Sequence, residues 1–158
     1  MVYLIPAPGL LTALLLALID IRSRRVPRLL VLLGLVLQTI TLLVFSLIQG
    51  QPKLLVQCLL LTLASAGLQF LLALVRPGAL GLGDVTSTGL VALSLSVLGW
   101  TTILVWWLMM GLLGLVALAL VWLARSRIPP DRTHNPLSLA YVPVILVAAL
   151  VALIIDVL

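Results

Sequence analysis

The stretch Leu71-Leu72-Ala73-Leu74-Val75-Arg76-Pro77-Gly78-Ala79-Leu80-Gly81-Leu82-Gly83-Asp84-Val85 decides how the chain folds. An apolar run stops at Arg-Pro-Gly, a breaker sequence. A glycine-rich turn follows, and an aspartate opens the next apolar run. The surroundings make that aspartate conspicuous: 64% of the chain is hydrophobic and only 8% is charged. An ionisable group between two such runs is expensive and marks a functional site whose partner must be found. The candidate partner is Asp20, at the far end of the first apolar run.

This composition excludes a soluble globular domain. Apolar runs of roughly 20 residues are the length of membrane-spanning helices. The runs lack the alternation of a transmembrane barrel, and lipid leaves no partner for unpaired backbone groups. The expected fold is therefore all-α: a polytopic membrane protein of about six transmembrane helices, forming a single domain over 1–158 with no soluble domain. The net charge of +5 reports basic loops at a membrane face, and no nucleic-acid partner is implied. The single cysteine, Cys58, makes no internal disulfide and no cysteine-based zinc site. His134 has no Cys or second His near it, so no metal is expected. With Glu absent, acid–base chemistry is confined to Asp20, Asp84, Asp131 and Asp156.

Working outward, the apolar runs cover 3–21, 29–47, 54–75, 84–98, 101–124 and 136–158. The first has no basic residue before it and Arg22, Arg24, Arg25 and Arg28 after it, the reverse of a signal peptide. It reads as a retained helix whose first turn is loosened by Pro6, Pro8 and Gly9. The segment Gln49-Gly50-Gln51-Pro52-Lys53 separates the second and third runs, and Gly99-Trp100 the fourth and fifth. The fourth run spans only roughly 22 Å of a hydrocarbon core about 30 Å thick. Either it does not span alone, or its Asp84 end is recessed below the membrane surface, which requires surrounding protein or a wet cleft. Gly111 and Gly114 are expected to permit close helix contact, and Trp100 and Trp122 to anchor at the interfaces. Pro143 is expected to kink the last run.

Alternate loops give the orientation. Arg22, Arg24, Arg25, Arg28, Arg76, Arg125, Arg127 and Arg132 fall on one side, and only Lys53 on the other. The positive-inside rule makes the arginine side cytoplasmic, with both termini outside. Asp20 and Asp84 then fall on the same cytoplasmic side. The arginines are mainly topology signals, with contact to lipid headgroups as an added role.

Two aspartates sharing a site can hydrolyse a peptide bond. One, ionised, takes a proton from water, while the other, protonated, polarises the carbonyl and then donates. Like charges close together cannot both ionise, so the two titrations split and belong to the pair. Asp84 at a helix N-terminus is favoured as the ionised partner by the helix dipole. Asp20 at a helix C-terminus is favoured as the protonated one. Simpler readings stand beside this. Asp84 after glycine also suits an N-cap, and Asp20 can pair with Arg24 or Arg25. Asp84, Ser87 and Thr88 share one helix face, a polar stripe that must meet something polar. Asp131 beside Arg132 reads as a solvated loop pair, and Asp156 as interfacial.

Asp20-Ile21-Arg22-Ser23-Arg24-Arg25-Val26-Pro27 and Gly81-Leu82-Gly83-Asp84-Val85 together carry a resemblance. The chain resembles the type IV prepilin peptidases, membrane aspartyl proteases of the GxGD kind. The first stretch is similar to that family's aspartate, basic loop and Ile-Pro or Val-Pro step. The second is similar to its glycine–any–glycine–aspartate–valine motif. The six-run order extends the likeness over essentially the whole chain, and Asn135-Pro136 weakly echoes a proline-containing segment.

The resemblance implies Asp20 and Asp84 as catalytic residues, with Gly81, Gly83, Val85 and Pro27 positioning substrate or loop. It implies no cofactor and no metal. The implied substrate is a prepilin-like precursor (pilin, pseudopilin or archaellin) with a hydrophobic N-terminal helix. Its basic leader would be cut at the cytoplasmic face of a prokaryotic plasma membrane. Larger members carry a cysteine-rich segment and methylate the new N-terminus. This chain has neither that segment nor its cysteines, so a peptidase without methyltransferase activity is expected. Two positions depart from the pattern: Thr86 stands where the family usually has Lys, and Arg28 where it usually has Asn. The competing readings are an inactive relative serving as a membrane assembly partner, and a small proton-coupled transporter relaying protons through Asp20 and Asp84.

Overall fold

Each apolar run contributes a helix, and the breakers at Gly50 and Gly99 act through identifiable backbone chemistry. A computed structural model describes residues 2–23, 26–75, 81–125 and 141–158. Readings made for Arg24, Arg25, Arg76, Gly78, Arg127, Asp131, Arg132, His134, Asn135 and Pro136 lie outside the described residues. A 3₁₀ turn, Val2–Leu4, leads into α1, Ala7–Ser23. Then come α2, Arg28–Ile48, α3, Pro52–Val75, and α4, Leu82–Leu95, which ends in a 3₁₀ turn, Ser96–Leu98. The chain continues with α5, Trp100–Arg125, and α6, Val142–Val157. No strand occurs among the described residues.

Four segments are long and apolar enough to cross a membrane: Val2–Ser23, Arg28–Ile48, Pro52–Val75 and Trp100–Leu120. Leu82–Leu98 and Val142–Val157 are apolar but shorter.

Gly50 adopts φ +64 after α2, and its N–H donates to the Leu47 carbonyl at 3.1 Å. A left-handed glycine ends a helix without the Cβ clash that other residues meet, and Pro52 then starts α3 with no N–H to leave unpaired. Gly99, at φ +114, makes the corresponding turn into α5. Pro143 does not kink a helix. It lies in the first turn of α6, where its missing N–H is not needed.

Helix α4 is the axis of the bundle. It packs on α1, α2, α3 and α6, and α5 packs mainly on α6. Val85 and all of residues 87–95 are buried. The surrounding helices turn leucines outward and polar groups inward. The buried residues of α3 are Cys58, Ser65 and Gln69, while Leu60, Leu63, Leu71 and Leu74 are exposed. That arrangement is unfavourable in water. In lipid the outer surface is already solvated, and small or polar residues supply the helix contacts.

Gly34 of α2 shows how close those contacts are. A Cβ there would lie 2.6 Å from Thr12 Cγ2 and 3.1 Å from Leu90 Cδ2. Gly9 has a packing role that its expected part in loosening α1 did not include. A Cβ on it would collide with Ser94 Oγ of α4. Gly111 is the reverse case: nothing lies within 4 Å of a Cβ built there, so it makes no close helix contact. Gly114 does make one, with the Tyr141 ring 3.7 Å away. Trp100 and Trp122 are both exposed, as interfacial anchors would be.

The irregular start of α1 is held by Gln38, fully buried on α2. Its Nε2 donates to the Ile5 carbonyl at 3.1 Å, and its Oε1 accepts the Gly9 N–H at 2.9 Å. Pro6 and Pro8 disrupt the local bonding, and one carboxamide makes it good. Gln38→Leu strands both backbone groups in the core. It is expected to lower stability by about 2–4 kcal/mol, measured as denaturant or thermal unfolding in detergent. Asp156, read as interfacial, ties together the opposite end of the bundle from Asp84. Its carboxylate accepts the Thr102 hydroxyl, and its carbonyl accepts the Tyr3 hydroxyl at 3.2 Å.

Candidate active site

The antiparallel register of α1 and α4 follows from Gly9 lying against Ser94. Eleven residues on from Gly9 is Asp20, and eleven back from Ser94 is Gly83. The two acidic motifs therefore reach the same end of the bundle. The Asp20 and Asp84 carboxyl groups are near enough to act on each other electrostatically. Asp20 is buried, with 6% of its surface exposed, and Asp84 is half-buried.

Asp84 is at the third position of α4. Gly81 is the N-cap, and its N–H donates to Asp84 Oδ2 at 2.9 Å. The expected capping role is thus real in part: one carboxylate oxygen is engaged by the start of its own helix. Asp20 closes the last turns of α1, but the helix end that donates to it belongs to α6. The free Val142 N–H at the start of α6 donates to Asp20 Oδ2 at 3.4 Å. Asp20 does lie at the C-terminal end of α1, as expected from sequence, and the N-terminus of α6 adds an opposing helix end that the sequence did not show. Both carboxylates face helix N-termini, α4's for Asp84 and α6's for Asp20, and both receive a backbone donor.

The other expected positions divide by role. Gly83 presses on the loop between α1 and α2: a Cβ would stand 2.8 Å from Val26 Cβ and 2.9 Å from Val26 Cγ2. Gly81 is not crowded, since its Cβ would meet only Asp84 Oδ2 at 3.6 Å and the Gly83 nitrogen at 3.8 Å. Gly81 serves through its N–H, Gly83 through its missing side chain. Val85 is buried beneath the dyad and anchors the start of α4 in the core. Pro27 is the N-cap of α2, and its carbonyl accepts from Leu30 at 3.1 Å and Val31 at 3.3 Å. Of the two departures from the family pattern, the Thr86 hydroxyl donates to the Gly83 carbonyl at 3.0 Å, and Arg28 is exposed at the start of α2.

Tyr141 and Val142 are the residues that sequence reasoning missed. Tyr141 is the N-cap of α6, lies against Gly114 and is within electrostatic reach of Asp84. Reading Pro143 as a helix start would have found them, because it sets a free N–H just before the proline. Among the described residues, no group of His, Cys, Asp and Glu gathers into a metal site. What the geometry offers is two carboxylates of unequal burial, each accepting a backbone N–H and close enough to feel each other's charge.

No protein-family model, no curated protein and no solved structure matches the chain.

Proposed function

We propose that the protein is a membrane aspartyl endopeptidase of the prepilin peptidase kind. It removes the basic leader of a prepilin-like precursor and does not methylate the product. The observation that carries this reading is the convergence of Asp20 and Asp84 from different helices at one end of the bundle, each with its own N–H donor. Asp84 is the more open of the two and its N–H contact is shorter, so it acts as the base on water. Asp20, more deeply buried, acts as the acid on the scissile carbonyl. Neither role requires a cofactor.

In this reading all six helices belong to the membrane domain, with both termini outside. The short α4 is accommodated because α1, α2, α3 and α6 cover it. The dyad opens to the cytoplasmic face of a prokaryotic plasma membrane. Reporter fusions at 50 and at 131 test the topology, and a cytoplasmic signal at 50 would invert it.

The activity is tested with purified protein in detergent and precursors bearing a basic leader before a hydrophobic helix. The new N-terminus is read by mass spectrometry. Cleavage that persists in both Asp20→Asn and Asp84→Asn would move the chemistry elsewhere. No cleavage by the wild type across a panel of precursors would favour the assembly-partner reading.

A further inference from the structure

Among the described residues, four buried side-chain atoms have no hydrogen-bond partner: Gln69 Nε2 and Oε1, Ser87 Oγ and Thr88 Oγ1. Gln69 is 1% exposed, and Ser87 and Thr88 are fully buried. Buried polar side chains are nearly always paired, so four such atoms at one depth call for an explanation.

Their common depth follows from the register of α3 on α4. Ala66 Cβ lies 3.7 Å from a Cβ built on Gly89, and the Cys58 side chain meets the Ser96 hydroxyl. The helices are antiparallel, so three residues on from Ala66, Gln69 comes level with about position 86 of α4. Ser87 and Thr88 follow at once, roughly one helical turn deeper than Asp84. Ser65, one turn from Gln69, accepts from Trp107 Nε1 at 3.3 Å and so turns this face of α3 toward α5. At the Gln69 level α5 presents Gly111, which has no neighbour within 4 Å of a Cβ built there. Gln69 therefore lies a little deeper than Asp84, at a level where α5 carries only a glycine.

We propose that Gln69 binds the peptide backbone of the residues just after the cut. The proposal rests on the endopeptidase reading. Those residues begin the precursor's hydrophobic helix, and cleavage requires that its first turn be opened. Opening frees backbone N–H and C=O groups in apolar surroundings, where each unpaired group costs several kcal/mol. A carboxamide carries one donor face and one acceptor face and can pair with both groups of a peptide unit. Contacts to backbone, not to side chains, also suit a site that must accept varied apolar helices.

The test measures binding apart from catalysis. A fluorescent precursor peptide is titrated against the Asp84→Asn protein, with and without Gln69→Leu, and the melting temperature of each is recorded. The expected result is about tenfold weaker binding, the equivalent of one hydrogen bond of roughly 1.4 kcal/mol, with an unchanged or raised melting temperature. A leucine removes an unpaired buried amide, so the fold gains while binding loses. Unchanged binding with Gln69→Leu overturns the proposal, and so does weaker binding accompanied by a fallen melting temperature, which marks a structural amide. Cleavage by wild-type protein judges the endopeptidase reading separately. Peptide binding that depends on Gln69 in a protein that never cleaves would retain the subsite and remove the enzyme.

Discussion

Asp84→Asn is expected to leave the protein folded and to reduce precursor cleavage by about a thousandfold or more, the range lost with an acid–base group. The asparagine is chosen because the local architecture does not need the charge. Its side-chain oxygen can still accept the Gly81 N–H that Asp84 now accepts at 2.9 Å, so the start of α4 is kept. The same holds for Asp20→Asn and the Val142 N–H. What each substitution removes is the ability to take or give a proton. Asp84→Ala is a poorer experiment: it also removes the cap, at about 1 kcal/mol, and mixes misfolding with lost chemistry. The measurement is initial cleavage rate beside circular dichroism and melting temperature for both asparagine variants. The two losses are expected to be similar and not to multiply in the double variant, because a dyad acts as a unit. Multiplicative losses would indicate two independent carboxylates and sink the shared-proton mechanism.

Much of the bundle is legible in the chain because lipid allows few ways to satisfy a backbone. Long leucine-rich runs must be helical, and the turns at Gly50 and Gly99 follow from residues that tolerate positive φ. Pro143 misleads because one residue can kink a helix or begin one. Only the position of the helix start decides between them, and α6 starts at Val142 with Tyr141 as its N-cap. Gly111 and Gly114 illustrate a second limit. Glycines in an apolar run permit close packing, yet α5 touches mainly α6, and of these two only Gly114 meets a neighbour, at Tyr141.

The candidate site is half legible for a similar reason. Two rare carboxylates in an apolar chain stand out by cost alone, and topology brings them to one end. Their surroundings do not show in linear order. The N–H on Asp20 comes from Val142, on a helix that lies far along the chain. Gln38 and Gln69 look alike in sequence, each an amide inside a leucine-rich run. Partners separate them: Gln38 has two, to Ile5 and Gly9, and Gln69 has none. The first holds the fold together, whereas the second has polar capacity that the fold leaves unused.

Gly83→Ala is expected to lower stability by about 1–3 kcal/mol, the usual range for overpacking, and to cut cleavage at least tenfold, whereas Gly81→Ala changes either only slightly. Both glycines belong to the same short motif, but their surroundings differ. At Gly83 a methyl would stand 2.8 Å from the Cβ of Val26 and 2.9 Å from its Cγ2. A Cβ cannot swing aside as the end of a long side chain can, so the backbone around Val26 must move. That backbone joins α1, which carries Asp20, to α2, so the displacement passes to the dyad. A shift of about 1 Å at a reacting group can cost a hundredfold in rate. Gly81 has φ −86, which any residue adopts, and a methyl there would only touch Asp84 Oδ2 at 3.6 Å. Its N–H, the part the site uses, survives the change to alanine. The companion variant Val26→Ala makes the mechanism testable: trimming Val26 removes its Cγ2 contact, and with Gly83→Ala it should recover part of both stability and activity. Thermal unfolding and cleavage rates of the two single variants and the double variant give the coupling. Additive losses would show that Gly83 is needed for something other than the approach of Val26.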